Sequence, residues 1–227
     1  MSELELTILM PCLNEEKSIA YCIQEAYQYI MKSGIDGEII IADNGSVDCS
    51  LEIATKCGAR VVSIAKKGYG NALLGGIKAA RGKYILMADC DGSYDFTAAG
   101  EYLKKLREGY ALVIGNRYLG GIEPGAMPFL HRYIGVPILS WLGRLRYRVR
   151  VGDFHCGMRA FEREKALALG LHCGGMEFAT EIIGSFAKAG ERICEIPTVL
   201  RKDRRNGKSH LRTLADGWRH LKLIVFG

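Results

Sequence analysis

The sequence predicts an α/β fold in which a mainly parallel sheet is covered by helices on both sides. Short apolar runs alternate with segments of helical spacing through the first half of the 227 residues, as in repeated βαβ units. The runs are apolar at consecutive positions, as expected for strands that are buried on both faces. A hydrophobic content of 48% can supply a substantial core, so we expect one large domain, with or without an appendage.

Five strands are predicted in this first half. The first, Leu6 to Met10, is a compact apolar run that ends at Pro11, because proline lacks the N–H that a sheet ladder needs. Similar runs predict four more strands, at residues 38–42, 60–64, 84–88 and 111–115.

Helices are predicted between these strands. Residues 15–32 place apolar side chains on one stripe of a helix, which Gly34 ends, at Ile19, Ile23, Ala26 and Ile30. Further helices are predicted from about residue 46, from 69 to 82, and over 97–108.

Polar residues follow three of the predicted strands, in the segments 11–16, 43–48 and 89–92. Ligands of such sheets bind outside the carboxyl ends of the strands, so these segments predict the site. Asp89 and Asp91 offer two carboxylates from one tight turn, which suits Mg²⁺ or Mn²⁺ shared with substrate phosphates.

Several common enzyme signatures are missing from the sequence. It contains no P-loop, no G-x-S-x-G and no H-E-x-x-H motif. The segment Gly68-Tyr69-Gly70 is not a dinucleotide fingerprint, because Leu73 stands where the third glycine is needed. We interpret residues 66–72 as a loop that enters a helix, with Lys66 and Lys67 near phosphate.

The net charge of +6 is unevenly distributed. Residues 131–150 carry five arginines and no acid, and residues 201–227 carry eight Lys or Arg against two Asp. This pattern predicts an anionic partner, such as ligand phosphates or anionic lipid. A nucleic-acid partner is not expected, because acidic strand ends repel a polyanion and no reading motif is present.

The segment 127–150 interleaves large apolar residues, including Trp141, with arginines. This composition is typical of an amphipathic segment that faces a membrane, although a helix packed on the sheet with solvated arginines is the alternative. No apolar run reaches the roughly 20 residues that cross a bilayer. The last ten residues turn apolar, and we expect a transmembrane region to have followed them.

The eight cysteines show no C-x-x-C spacing, and several lie in apolar segments. Reduced thiols in a cytosolic protein are therefore predicted. His155-Cys156 and His172-Cys173 are adjacent His–Cys pairs. Adjacent residues seldom both reach one tetrahedral ion, so zinc is not expected.

Motifs along nearly the whole chain, from about residue 6 to 222, resemble glycosyltransferase family 2, and within it the polyprenyl-phosphate (dolichyl-phosphate mannose/glucose synthase-like) transferases. The motifs are the strand-end clusters with Asp89-Cys90-Asp91, then Gly115-Asn116-Arg117-Tyr118, the stretch 153–159, Met176-Glu177-Phe178, and residues 216–220. The resemblance implies a GT-A-like (Rossmann-like) catalytic domain over residues 1–210, with 127–150 facing a membrane. Residues 211–227 would form a C-terminal interfacial helix.

The resemblance also implies roles for individual residues. Pro11, Asn14 and Glu15 would flank the base and ribose of a nucleotide-sugar, and Asp43 would contact the base. The metal and diphosphate would be held by Asp89 and Asp91, and the basic segment with Arg201, Arg204 and Ser209 would cover the donor. The catalytic and acceptor-binding residues would be Asp91, Asp153, Arg117 and Arg132.

The implied reaction is metal-dependent, inverting transfer of a hexose from a GDP-mannose- or UDP-glucose-class donor to a polyprenyl phosphate at the cytoplasmic face of a membrane. A phosphate acceptor is largely ionised at neutral pH and needs cations rather than a base, which the arginines of residues 117–150 would provide. The alternatives are a soluble transferase of the same fold, with Asp153 as base for a small hydroxyl acceptor, and a nucleotidyltransferase.

Overall fold

A computed structural model of the protein describes residues 4–205 and 213–227 and contains a seven-stranded sheet flanked by helices. The strands are β1 Leu6–Cys12, β2 Gly37–Asp43, β3 Arg60–Ser63, β4 Tyr84–Met87, β5 Leu112–Asn116, β6 Arg159–Glu162 and β7 Ile193–Pro197. The helices are α1 Ile19–Ser33, α2 Ser50–Lys56, α3 Tyr69–Ala79, α4 Ala99–Arg107, α5 Arg117–Gly120, α6 Val136–Tyr147, α7 Arg163–Ala168, α8 Phe178–Lys188 and α9 Thr213–Phe226.

The sheet order is β3-β2-β1-β4-β6-β5-β7. Leu9 in β1 pairs with Ile40 in β2 on one side and with Met87 in β4 on the other, all in parallel. The carboxyl ends of these three strands therefore lie at one edge, where Cys12 pairs with Asp43. The predicted α/β fold with a mainly parallel sheet is confirmed, and all five predicted strands are present within a residue or two.

Strand β6 runs antiparallel to both β4 and β5 and was not predicted, nor was β7. The first residue of β6, Arg159, is fully buried, and its guanidinium donates to the carbonyl oxygens of Phe154, Cys156 and Ala179. A buried charge of this kind is stable only when its donors are satisfied. A local apolar pattern cannot reveal such a strand.

The predicted start of the first helix at residue 15 is wrong, because α1 begins at Ile19. The backbone N–H groups of Asn14, Glu15 and Glu16 donate instead to side chains at Ser46, Ser50 and Asp48. These bonds hold the residues after β1 outside the helix. Asn14 itself has a φ of 58°, a left-handed conformation that asparagine tolerates better than most residues.

Helix α6 has one buried face and follows a π-helical turn at His131–Gly135. Its inner face carries Ser140, Gly143 and Tyr147. A Cβ on Gly143 would lie 2.5 Å from Phe154 Cε1, so the helix packs closely there. Within the two described ranges, no helix is both long enough and apolar enough to span a bilayer.

Candidate functional site

Three carboxylates and one guanidinium meet at the carboxyl edge of β1 and β4. Arg205 Nη2 donates to Asp91 Oδ2 at 2.7 Å, and its Nη1 donates to Glu15 Oε1 at 3.2 Å. Glu15 and Asp91 are only 6% and 5% exposed, and Asp89 is close enough to both to influence the pKa of Glu15. Glu15, Asp89 and Asp91 are therefore brought together, whereas Asp43, which was predicted to join them, bonds to the turn after its own strand.

Burial, together with neighbouring charges, raises the pKa of two carboxyl groups in this cluster. Burial raises the pKa of Glu15 to about 7, with Arg205 lowering it and Asp91 raising it further. Burial also raises the pKa of Asp89 to about 6, and the neighbouring Asp91 adds to the shift. One guanidinium does not balance three carboxylates, so the cluster favours a further cation. Oxygen donors of this kind suit Mg²⁺ or Mn²⁺.

Neighbouring residues hold the two aspartates in place. The hydroxyl of Tyr69, at the start of α3, donates to Asp89 Oδ1 at 3.0 Å. The backbone N and hydroxyl of Ser93 both donate to Asp91 Oδ1, at 2.9 and 2.5 Å. Gly157 has no room for a side chain, since a Cβ there would lie 2.6 Å from Asp89 Oδ2. The aspartates are therefore fixed before any ligand binds.

The loop after β2 contacts Asn14 at the carboxyl edge of the sheet. Asp43 accepts hydrogen bonds from the backbone N of Gly45 and Ser46, at 3.0 and 2.9 Å. Asn14 Oδ1 accepts from Val47 N at 2.8 Å. Asp43 thus holds the turn that follows its own strand.

Two more residues at this edge of the sheet connect neighbouring strands and loops. Asn44 bonds to the backbone of Ile64, Lys66 and Gly68, which anchors the loop before α3. Pro11 O accepts a hydrogen bond from the Cys90 thiol, which links the end of β1 to the Asp89–Asp91 turn.

A buried ion pair lies at the carboxyl end of β5. Arg117 Nε donates to Asp153 Oδ2 at 2.6 Å, and Nη2 donates to Oδ1 at 2.8 Å. The backbone N groups of Arg117 and His155 donate to the same carboxylate, at 3.2 and 3.1 Å. Arg117 is 8% exposed and Asp153 is fully buried. Glu195 supports the pair by accepting from Asp153 N and from Asn116 Nδ2.

The remaining predicted site residues are arginines and one serine. Arg201 is paired with Glu25 and Asp95. The Arg204 guanidinium lies over the Tyr21 ring, 3.6 Å from its centre. Arg132 stacks on Tyr133, with 5.4 Å between guanidinium and ring centre, and its carbonyl accepts from Tyr118. The predicted residue Ser209 lies outside the described residues.

Sequence reasoning did not select Tyr69 or Glu195 as site residues, and it named Arg205 only with Arg201 and Arg204, as alternative cations for the departing diphosphate. Arg205 was one of three neighbouring arginines that could face the cleft, and only the path of the chain decides among them. Tyr69 is the first residue of α3 and follows Gly68, whose φ of 127° favours glycine at that position. Glu195 lies in β7, a strand that the sequence pattern did not reveal.

We expect the Arg205→Gln substitution to tighten Mn²⁺ binding to the donor-free protein by about tenfold, because it removes a charge-assisted hydrogen bond that competes for Asp91. Calorimetric titration with Mn²⁺ measures the change. Lys202→Gln, which removes an exposed positive charge from the same segment, is the matched control and should leave the affinity unchanged. Unchanged or weaker binding to the Arg205 variant would show that the guanidinium does not compete with the metal.

The sequence matches the family model described as glycosyl transferase family 2 over residues 7–170. It is 38% identical over 221 residues to the low-salt glycan biosynthesis hexosyltransferase Agl6 of Haloferax volcanii, covering 97% of this chain and 53% of that protein. The chain therefore spans about half the length of that relative. A dolichyl-phosphate hexose transferase of the same organism is 30% identical over 227 residues, covering 97% of this chain and 92% of that protein.

Solved structures share the fold. Glucosyl-3-phosphoglycerate synthase from Mycobacterium tuberculosis, in complex with phosphoglyceric acid, has a TM-score of 0.78 at 22% identity, covering 98% of this chain and 79% of that chain. Another structure of that enzyme, with Mn²⁺, UDP and glucosyl-3-phosphoglycerate, has a TM-score of 0.77 at 22% identity, covering 97% and 80%.

Proposed function

The chain belongs to glycosyl transferase family 2, and on that basis we propose that it transfers a hexose, with inversion, from a GDP-mannose- or UDP-glucose-class donor to a polyprenyl phosphate. Mg²⁺ or Mn²⁺ would be its cofactor, and the cytoplasmic face of a membrane its place of action. The observation that carries the proposal is the cluster of Glu15, Asp89 and Asp91 facing Arg205, next to the buried Arg117–Asp153 pair.

The donor half of the proposal rests on charge. When the bond from sugar to diphosphate breaks, negative charge develops on the leaving group. Asp89 and Asp91 would hold the metal, which would neutralise that charge as a Lewis acid. Arg205, already within the cleft, would contact the diphosphate from the other side. Structures of the M. tuberculosis synthase with Mn²⁺ and UDP support this assignment as an analogy of fold.

The acceptor half rests on the state of Asp153. Its carboxylate accepts four hydrogen bonds and is fully buried. These donors occupy both carboxylate oxygens, so Asp153 has no oxygen left to contact the hydroxyl of a small acceptor. A phosphate acceptor needs no base at neutral pH. The geometry therefore favours a phosphate acceptor, positioned by Arg117 and Arg132, over a small hydroxyl acceptor.

The proposal that the acceptor is a lipid rests on an outer apolar stripe, defined by Ile134, Ile138, Trp141 and Leu145. These residues recur at intervals of four and three, so they share one face of the helical segment, opposite the inner face of α6. Each is between 48% and 59% exposed. Exposed apolar faces of this kind mark interaction sites. The arginines beyond the stripe, Arg144, Arg146, Arg148 and Arg150, are exposed as well and would attract anionic lipid.

The stripe is connected to the ion pair by short contacts. Phe154, next to Asp153, donates its backbone N to Ser140 on the inner face of α6 at 3.1 Å. Tyr118, next to Arg117, donates its hydroxyl to Arg132 O at 2.8 Å. A phosphate at Arg117 would thus lie on the inner side of the helix whose outer face carries the stripe. The dolichyl-phosphate hexose transferase among the relatives supports the same acceptor class.

The decisive test is transfer of radiolabelled hexose from UDP-glucose and GDP-mannose, with Mn²⁺, to polyprenyl phosphate in detergent. We expect the label to enter the organic phase. Label transferred only to a small water-soluble hydroxyl acceptor would favour the alternative transferase. Release of pyrophosphate instead of a nucleoside diphosphate would indicate a nucleotidyltransferase.

We expect Trp141→Glu to weaken binding to vesicles of phosphatidylcholine and phosphatidylglycerol by about tenfold or more. Burial of one large apolar side chain contributes roughly 1.5–3 kcal/mol, and the new carboxylate is repelled by anionic lipid. Vesicle sedimentation measures the change. Met31→Glu makes the same type of change at a side chain in α1 that is 78% exposed and should have little effect. Equal losses in both variants would contradict the assignment of the stripe.

A further inference from the structure

A second group of metal-ligating side chains lies away from the carboxylate cluster, between α7 and α8. His172 and Cys173 belong to the loop before α8, and Glu181 lies in the first turns of that helix. One imidazole nitrogen, the thiol sulfur and a carboxylate oxygen of these residues all lie within 4.8 Å of one another. In the part of the chain that the structure describes, no other three His, Cys, Asp or Glu residues meet so closely.

The carboxylate at the centre of this group is held in a fixed orientation. Glu181 Oε1 accepts from His172 N, and Oε2 accepts from Cys173 N, both at 2.9 Å. His172 Nδ1 lies 2.8 Å from Oε1, so the imidazole points at the carboxylate. Glu181 is 5% exposed, whereas the His172 side chain is 82% exposed. A buried, oriented carboxylate with an adjustable imidazole at its rim is a suitable start for a metal site.

We propose that His172, Cys173 and Glu181 form a Zn²⁺ site, with Nδ1, Sγ and one carboxylate oxygen as ligands and water as the fourth. Thiolate, imidazole and carboxylate together are typical zinc ligands, and a site with three protein ligands and a water is a known zinc arrangement. The ligand atoms of a tetrahedral zinc ion lie about 3.3–3.8 Å apart. The 2.8 Å between His172 Nδ1 and Glu181 Oε1 is shorter than this, so an ion between them requires the exposed His172 ring to move outward.

The sequence argument against zinc is that adjacent residues seldom both reach one ion. In the structure, however, the ligand atoms of His172 and Cys173 both lie within 4.8 Å of a carboxylate oxygen of Glu181. An adjacent His–Cys pair alone gives two ligands, but α8 brings the third from eight residues beyond Cys173.

The site would stabilise a loop on which the start of α3 rests. Asn71 N donates to Gly174 O at 3.1 Å, and a Cβ on Gly70 would lie 2.1 Å from Cys173 O. Tyr69, between Gly70 and the preceding loop, donates to Asp89. Zinc at Cys173 would thus stabilise the loop that supports Tyr69. Tyr69 in turn orients Asp89, a proposed ligand of the catalytic metal. The proposal itself does not depend on the proposed function.

The test uses the full chain in saturating Mg²⁺, which occupies carboxylate-only sites, and adds Co²⁺ as a spectroscopic probe for zinc. We expect a thiolate-to-cobalt charge-transfer band at one equivalent, and displacement of cobalt by Zn²⁺. Cys173→Ser should abolish the band. His172→Ala changes an exposed side chain and should weaken Zn²⁺ binding by more than about tenfold. Loss of a residue that merely supports a metal ligand already weakens binding by about that factor.

Cys194→Ser is the matched control, because Cys194 is also a half-buried free thiol. It should retain the band and the zinc affinity. The proposal is overturned if the unchanged protein gives no charge-transfer band, if Cys173→Ser retains it, or if Cys194→Ser loses it equally. Retention of zinc affinity in His172→Ala would also overturn it. Thermal unfolding of each variant without metal confirms that all of them fold.

Discussion

Asp91→Asn should lower metal-dependent hexose transfer by about 10³-fold, equivalent to ~4 kcal/mol of transition-state stabilisation. The substitution removes one negative charge from the proposed metal site, while the amide oxygen can still accept from Ser93. Arg205 loses one partner but keeps Glu15 and Asp203. We therefore expect a folded protein with impaired donor binding. Steady-state transfer with and without Mn²⁺ measures the effect, and calorimetry with UDP measures metal-dependent binding.

The control for this experiment is Glu52→Gln. The Glu52 side chain in α2 is 64% exposed and is paired with Lys56 one helical turn away. The substitution removes the same charge from the protein without altering the cleft. Its rate should equal that of the unchanged protein. Normal Mn²⁺-dependent turnover in Asp91→Asn would contradict the assignment of Asp91 as a metal ligand.

Asp153→Ala should reduce the free energy of unfolding by about 3–5 kcal/mol, because it leaves the buried Arg117 guanidinium without its counter-ion. Urea denaturation at neutral pH measures the loss. A large effect on activity would follow as well, but the stability change isolates the structural role of the pair. The double variant with Arg117→Met should be less destabilised than the sum of the single variants, since the second change removes the uncompensated charge.

An ion pair of the same geometry on the protein surface provides the control. Arg107 bonds to Glu5 with the same two-pronged geometry, at 2.8 and 2.9 Å, but their side chains are 52% and 33% exposed. Glu5→Ala should cost less than about 1 kcal/mol, as is usual for solvated pairs. If the two alanine variants lose similar stability, burial is not what makes the Arg117–Asp153 pair important.

The residues of the carboxylate cluster differ in how far local sequence specifies them. The turn Asp89–Asp91 follows an apolar strand directly, so its position at the sheet edge could be deduced from local order alone. The arginine that faces it could not be deduced, because Arg201, Arg204 and Arg205 occupy equivalent sequence contexts. Their side chains diverge to Glu25, Tyr21 and Asp91 respectively. Contacts with distant residues, rather than spacing, select Arg205.

By itself, the sequence determined the alternation of buried strands and helices, the parallel core of the sheet and the edge at which the acids gather. These features follow from short-range apolar patterning, which burial on both faces imposes on consecutive residues. The antiparallel strand β6, the delayed start of α1 and the meeting of Glu181 with Cys173 were decided only by the tertiary structure. Each depends on polar groups that find partners far along the chain, and hydrogen bonds between such distant groups leave no periodic trace in the sequence.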